Sequence, residues 1–145
     1  MPNIFHYERK ELSSDVVLWE LFGCPKIDEW NRFTDAAAHW WAEQESRGRR
    51  WGVVVDPSGM FDVSGSIRRA AGEWRAAHLP LLANTVICAS YVADRPVMRA
   101  AVTAALWFAQ PVVPVKLHGS REESVLWLSE KMRQISRKTA VTSLG

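Results

Sequence analysis

The run Trp51-Gly52-Val53-Val54-Val55-Asp56 constrains this chain more than any other stretch. It is short, β-branched and apolar without alternation. A strand of that kind has both faces covered, which places it inside a sheet that carries helices. The flanks agree. Upstream, Ile27, Trp30, Phe33, Ala37, Trp40 and Trp41 recur at helical spacing, with Asp28, Glu29, Arg32, Asp35 and Glu43 opposite. Gly48 is the expected stop of that helix. Downstream, Pro57-Ser58-Gly59 reads as a turn. Ile67, Ala70, Ala71, Trp74, Ala77 and Leu81 then mark the inner face of a second helix, capped by Ser64 or Ser66. Pro80 ends or kinks it near Leu79.

The alternation continues in both directions. Residues 4–8 and 16–22 pattern as a hairpin about Leu12-Ser13-Ser14-Asp15. Residues 85–92 form another β-rich run. Asp94 is placed to cap a helix over 97–109, with Pro96 in its first turn. Residues 112–117 read as an edge strand, because Pro111 and Pro114 cannot donate to a ladder. Ser120-Arg121-Glu122-Glu123 is a capping box that opens a last helix, with Val125, Leu128, Met132 and Ile135 inside. The predicted order is β-β-α-β-α-β-α-β-α. Right-handed crossovers then make an α/β fold with a mixed, mainly parallel five-stranded sheet and about four helices. We read one domain over residues 1–145, with 139–145 as a loose tail.

Composition closes off several classes of function. A chain of 145 residues buries roughly two-thirds of its unfolded surface, and 48% hydrophobic with 23% charged residues excludes disorder. A net charge of +2 is too mild for nucleic-acid binding. The short clusters Arg47, Arg49, Arg50 and Arg68, Arg69, Arg75 read as solvated helix surface. No apolar run reaches the roughly 20 residues of a membrane-spanning helix, and the first residues lack a signal-peptide pattern, so a cytoplasmic protein is expected. Cys24 and Cys88 have no metal-ligand spacing and are expected reduced and buried. Neither glycine-rich nucleotide fingerprint is present. No cofactor and no metal are expected.

In this order of elements, three local signals carry a resemblance. They are Leu21-Phe22-Gly23 before the Ile27 helix, Val53-Val54-Val55-Asp56-Pro57-Ser58-Gly59, and Asp62-Val63-Ser64-Gly65 opening the next helix. Lys116-Leu117-His118-Gly119-Ser120-Arg121 leading into Trp127-Leu128 adds a fourth. The chain resembles the STAS superfamily, the SpoIIAA-like and anti-sigma-factor-antagonist-like proteins, over nearly its whole length. The resemblance implies a regulatory, non-enzymatic module that acts by protein contacts at the Asp62, Val63, Ser64, Gly65 turn. In anti-sigma antagonists the hydroxyl residue directly after the Asp is phosphorylated. Here that position is Val63, so the usual switch is missing, and Ser64 matches the neighbouring serine. The plainer reading of Ser64 is a helix cap. The resemblance also reaches Sec14-type lipid carriers, so a small apolar or lipid ligand is the alternative.

Catalysis has weak support. A triad can be sketched from Ser58 or Ser64, His78 or His118, and Asp56 or Asp62, but no G-x-S-x-G elbow accompanies it. Asp56 and Asp62 as a cation pair is weaker than Asp56 capping the end of its strand. No enzyme is expected. The segment from Val97 to Phe108 carries one charge, Arg99, and is apolar nearly all round. Such a helix is either wholly covered or presents an interface, and eight tryptophans in the chain suit the latter. Met98, Ala101, Ala105, Trp107 and Phe108 are the candidate interface residues, for a protein partner or a second copy of the chain.

Overall fold

The computed structural model describes residues 4–107 and 111–144, with side chains up to residue 139. Its elements are β1 (His6–Glu11), β2 (Val16–Gly23), α1 (Ile27–Ser46), β3 (Trp51–Met60), α2 (Gly65–Ala77), α3 (Leu79–Thr85), β4 (Val86–Val92), α4 (Pro96–Trp107), β5 (Val115–His118) and α5 (Arg121–Leu144). The five strands form one sheet in chain order. β1 runs antiparallel to β2, and β2 to β5 are parallel. The expected mixed, mainly parallel five-stranded α/β sheet is present.

Because each parallel crossover moves one strand in the same direction, the connecting helices fall on one face. There, α1 to α4 cover Val17, Trp19, Leu21, Val53 and Ala89. On the other face α5 seals Val16, Leu18, Val54, Cys88 and Val92 with Leu128. The central run is thus covered on both sides, as its lack of alternation requires. Gly52 permits the closeness of α5: a Cβ there would meet the Met132 sulfur at 2.4 Å.

Several boundaries differ from expectation. The hairpin's first strand starts at His6 and runs to Glu11. Pro57-Ser58-Gly59 is not a turn but part of β3. Glu20 faces Asp56 and Phe22 faces Gly59, so Pro57 and Ser58 together oppose Leu21 in a bulge. A bulge is one of the few strand positions that accept proline. Pro80 does not merely end α2; it sits in the first turn of a separate helix, α3, which brings the count among the described residues to five. The cap of α4 falls at Arg95, whose carbonyl accepts from Arg99 N at 3.0 Å, one residue after Asp94. β5 is shorter than predicted but does lie at the sheet edge. α5 continues as helix to Leu144, through most of the stretch read as a loose tail. Cys88 is buried as expected, while Cys24 is exposed because it follows the end of β2.

Candidate functional site

All parallel strands end at one edge of the sheet, and the 62–65 turn lies there, between β3 and α2. Ser64 is the N-cap: its Oγ accepts from Ile67 N at 3.3 Å and shares a hydrogen bond with Ser66 Oγ at 2.9 Å. Asp62 Oδ1 accepts from Val63 N at 2.8 Å, and Val63 O accepts from Arg68 Nη1 at 3.2 Å. Asp62, Ser64 and Gly65 are exposed, while Val63 is half-buried and points inward. A Cβ on Gly65 would meet only the Arg68 guanidinium, at 3.6 Å, so this surface is open. Phe61, next in line, is 56% exposed, and Ile27 and Val97 are exposed at the starts of α1 and α4 on the same edge.

Under α5 lies a charged cluster that sequence reading passed over. Arg121 Nη2 donates to Glu20 Oε2 at 2.6 Å and to Asp56 Oδ2 at 2.8 Å. Lys10 pairs with Glu20 Oε1 at 2.7 Å. Asp56 Oδ1 accepts from Ser58 N at 3.0 Å and from the Ser58 hydroxyl, which holds the bulge. The Lys10 hydrogen bond, against the cost of burial, sets the Glu20 carboxyl below its usual range. Burial pushes Asp56 up, and the bonds from Ser58 and Arg121 more than reverse it. The signal was present: an acid inside the apolar 16–22 run demands a cationic partner. Read from sequence alone, Arg121 belongs only to the capping box. That box is displaced, with Ser120 Oγ accepting from Glu123 N and Glu123 reaching back to Gly119 N.

The sketched triad does not assemble. Ser58 meets Asp56 without a histidine. His78 Nδ1 contacts Trp74 O at 2.8 Å and its ring stacks on that indole. His118 Nδ1 lies 2.7 Å from Ser90 Oγ, which donates to Ser124 Oγ at 2.8 Å. Ser90 and Ser124 are fully buried, so this network ties β4, β5 and α5 together and offers substrate no nucleophile. Asp62 is spent on its own turn and Asp56 on Arg121, so the two do not converge on a cation. Among the described residues no cluster of His, Cys, Asp and Glu has the form of a metal site.

The α4 residues divide. Met98 and Ala101 are buried within the chain's own core, so they are corrected from interface to packing residues; Ala105 is half-buried. The reason is that α2 packs along this side of α4. Trp107 is 83% exposed, and Phe108 lies outside the described residues. No helix among the described residues is long and apolar enough to cross a membrane.

Between the sheet and α1–α4 there is an unfilled apolar chamber of about 210 Å³. Val63, Ile67 and Arg68, from the turn and the first turns of α2, form part of its wall. Sequence periodicity places Ile67 inward but does not reveal that the layers stand apart, and Arg68 and Arg75, expected on solvated helix surface, also line the chamber.

No family model and no curated protein matches the sequence. The fold does resemble solved structures. The chain is similar to an uncharacterized protein of the DUF3478 family with a SpoIIAA-like fold from Shewanella loihica PV-4. The TM-score is 0.60 at 11% identity, over 86% of this chain and 93% of that one. It is also similar to an anti-sigma factor antagonist from Mycobacterium paratuberculosis, with TM-score 0.56 at 10% identity, over 89% and 97% of the two chains. The fold is therefore SpoIIAA-like.

Proposed function

We propose that this chain is a non-enzymatic regulatory module that docks a protein partner on the strand-end edge, at the turn formed by Asp62, Val63, Ser64 and Gly65. The observation that carries this reading is an open polar turn beside the exposed Phe61 ring, at the mouth of an otherwise well-covered sheet. Exposed aromatic rings ringed by small polar groups are the usual anchors of protein contacts. The likeness to an anti-sigma factor antagonist supports the choice of a protein as the partner. Val63 carries no hydroxyl, so the turn is not controlled by phosphate at that position.

The test is affinity capture from the native cell with wild-type chain and with Gly65→Asp as paired baits. An acid at the first helical position suits the helix dipole, so this variant keeps its fold while altering the surface. The reading expects one partner recovered by the wild type and lost by Gly65→Asp. Equal recovery of every captured protein by both baits contradicts it.

A further inference from the structure

The chamber between the sheet and α1–α4 is a second feature, independent of any docking at the edge. Its volume of about 210 Å³ exceeds what close-packed cores leave unfilled. Its wall is apolar and aromatic except for Thr34, Arg68 and one further place. There the Arg75 guanidinium hydrogen-bonds the Tyr91 hydroxyl, on α2 and β4. Trp19, Trp30 and Trp74 also belong to the wall, and their buried indole N–H groups find no acceptor among the described residues. A wall of this kind has apolar surface in excess, a surplus of donors and positive charge on α2 from Arg68 and Arg75. Its complement is a guest with an apolar body and acceptor oxygens.

Size narrows the class. A buried apolar cavity of about 150 Å³ takes up benzene, so one of this volume suits an apolar body of about eight to ten non-hydrogen atoms, its carboxylate apart. A long acyl chain exceeds that volume and would have to run out of the chamber's open side. We propose that the chamber binds a compact aromatic or alicyclic carboxylate, its ring against Trp74 and Phe33 and its carboxylate at Arg75 and Tyr91. An arginine fork matches a carboxylate better than any neutral acceptor. Because Val63 and Ile67 stand in the same wall, the guest also touches the inner side of the 62–65 turn. Ile67 N is the donor to the Ser64 cap, so occupancy bears directly on the turn's only side-chain cap bond.

The test is calorimetric titration of the intact chain with 2-naphthoate, naphthalene and palmitate. The proposal expects one naphthoate per chain, naphthalene weaker by about ten-fold or more, and no palmitate binding. Arg75→Met abolishes the preference for naphthoate over naphthalene, and its retained naphthalene binding shows that the chamber is intact. Arg75→Lys restores part of the preference. Amides 63–68 exchange more slowly with naphthoate bound. A folded protein that binds none of the three overturns the site. Equal binding of naphthoate and naphthalene, indifferent to Arg75→Met, overturns the carboxylate class. Palmitate bound more tightly than naphthoate overturns the size limit and makes the chamber a lipid site.

Discussion

Arg121 and Asp56 stand 65 residues apart in sequence and meet over the sheet, with Nη2 and Nε of the arginine 2.8 and 3.1 Å from one carboxylate oxygen. This contact joins the first turn of α5 to the bulge of β3, and Glu20 extends it to β2. Arg121 is 42% exposed, while both acids are nearly closed off from water. Solvent therefore screens the cation's side and leaves the acids dependent on it.

Replacing Arg121 by Met is expected to destabilise the fold by about 2 kcal/mol, less than for a fully buried pair because of that screening. Urea denaturation measures the loss. The pH dependence follows from the directions of the shifts. Glu20 and Asp56 are held below the 4.5 and 3.8 of the free groups, so the unfolded chain takes up protons first. Their contribution is complete above those values and is lost as pH falls through the lower, folded ones. In Arg121→Met the acid limb of the stability curve flattens.

Ser64→Ala removes the cap of α2 and is expected to cost about 1 kcal/mol without unfolding the chain. Ser64→Asp retains a capping oxygen and stays within about 0.5 kcal/mol of wild type. Thermal melts of the two variants side by side give the comparison.

Gly23 and Gly48 both have positive φ, +88° and +66°, but their surroundings differ. A Cβ on Gly48 meets nothing within 4 Å, so Gly48→Ala carries only the backbone cost of about 1 kcal/mol. On Gly23 the same atom would fall 2.3 Å from Ile4 O, which is backbone and cannot swing aside. Gly23→Ala is expected to lose about 3 kcal/mol or more, the overpacking added to the conformational cost. Denaturant midpoints that rank the two the other way contradict the geometry at the β1–β2 end.

The sheet was legible because its evidence is periodic. Val53-Val54-Val55 has no polar side and so needs two covered faces, and the helical stripe from Ile27 to Trp41 supplies one of them. The bulge was hidden because Pro57, Ser58 and Gly59 are also turn residues, and only pairing with Leu21 distinguishes the two. The separate α3 was hidden because proline is equally at home ending a helix and starting one. Ser64 was readable as a cap from local chemistry alone. The Arg121 cluster depends on a contact across most of the chain, although the lone acid Glu20 in an apolar strand announced that some cation was due. The chamber had no sequence signal, since empty volume depends on how far the helices stand from the sheet. Met98 and Ala101 looked like surface for a related reason: an all-round apolar helix does not say which of its sides a neighbour covers.

The claim at the centre of this account is that the Phe61–Gly65 edge meets a protein partner. Its most direct measurement is photo-crosslinking in the native cell, with a benzophenone amino acid at position 61 and, separately, at position 126. Leu126 is 72% exposed on α5 and serves as an equally accessible site away from the turn. The account predicts a discrete adduct of this chain with one other protein from position 61, absent from position 126 and abolished by Gly65→Asp. The same adducts from both positions, or none from position 61 in folded protein, would contradict it.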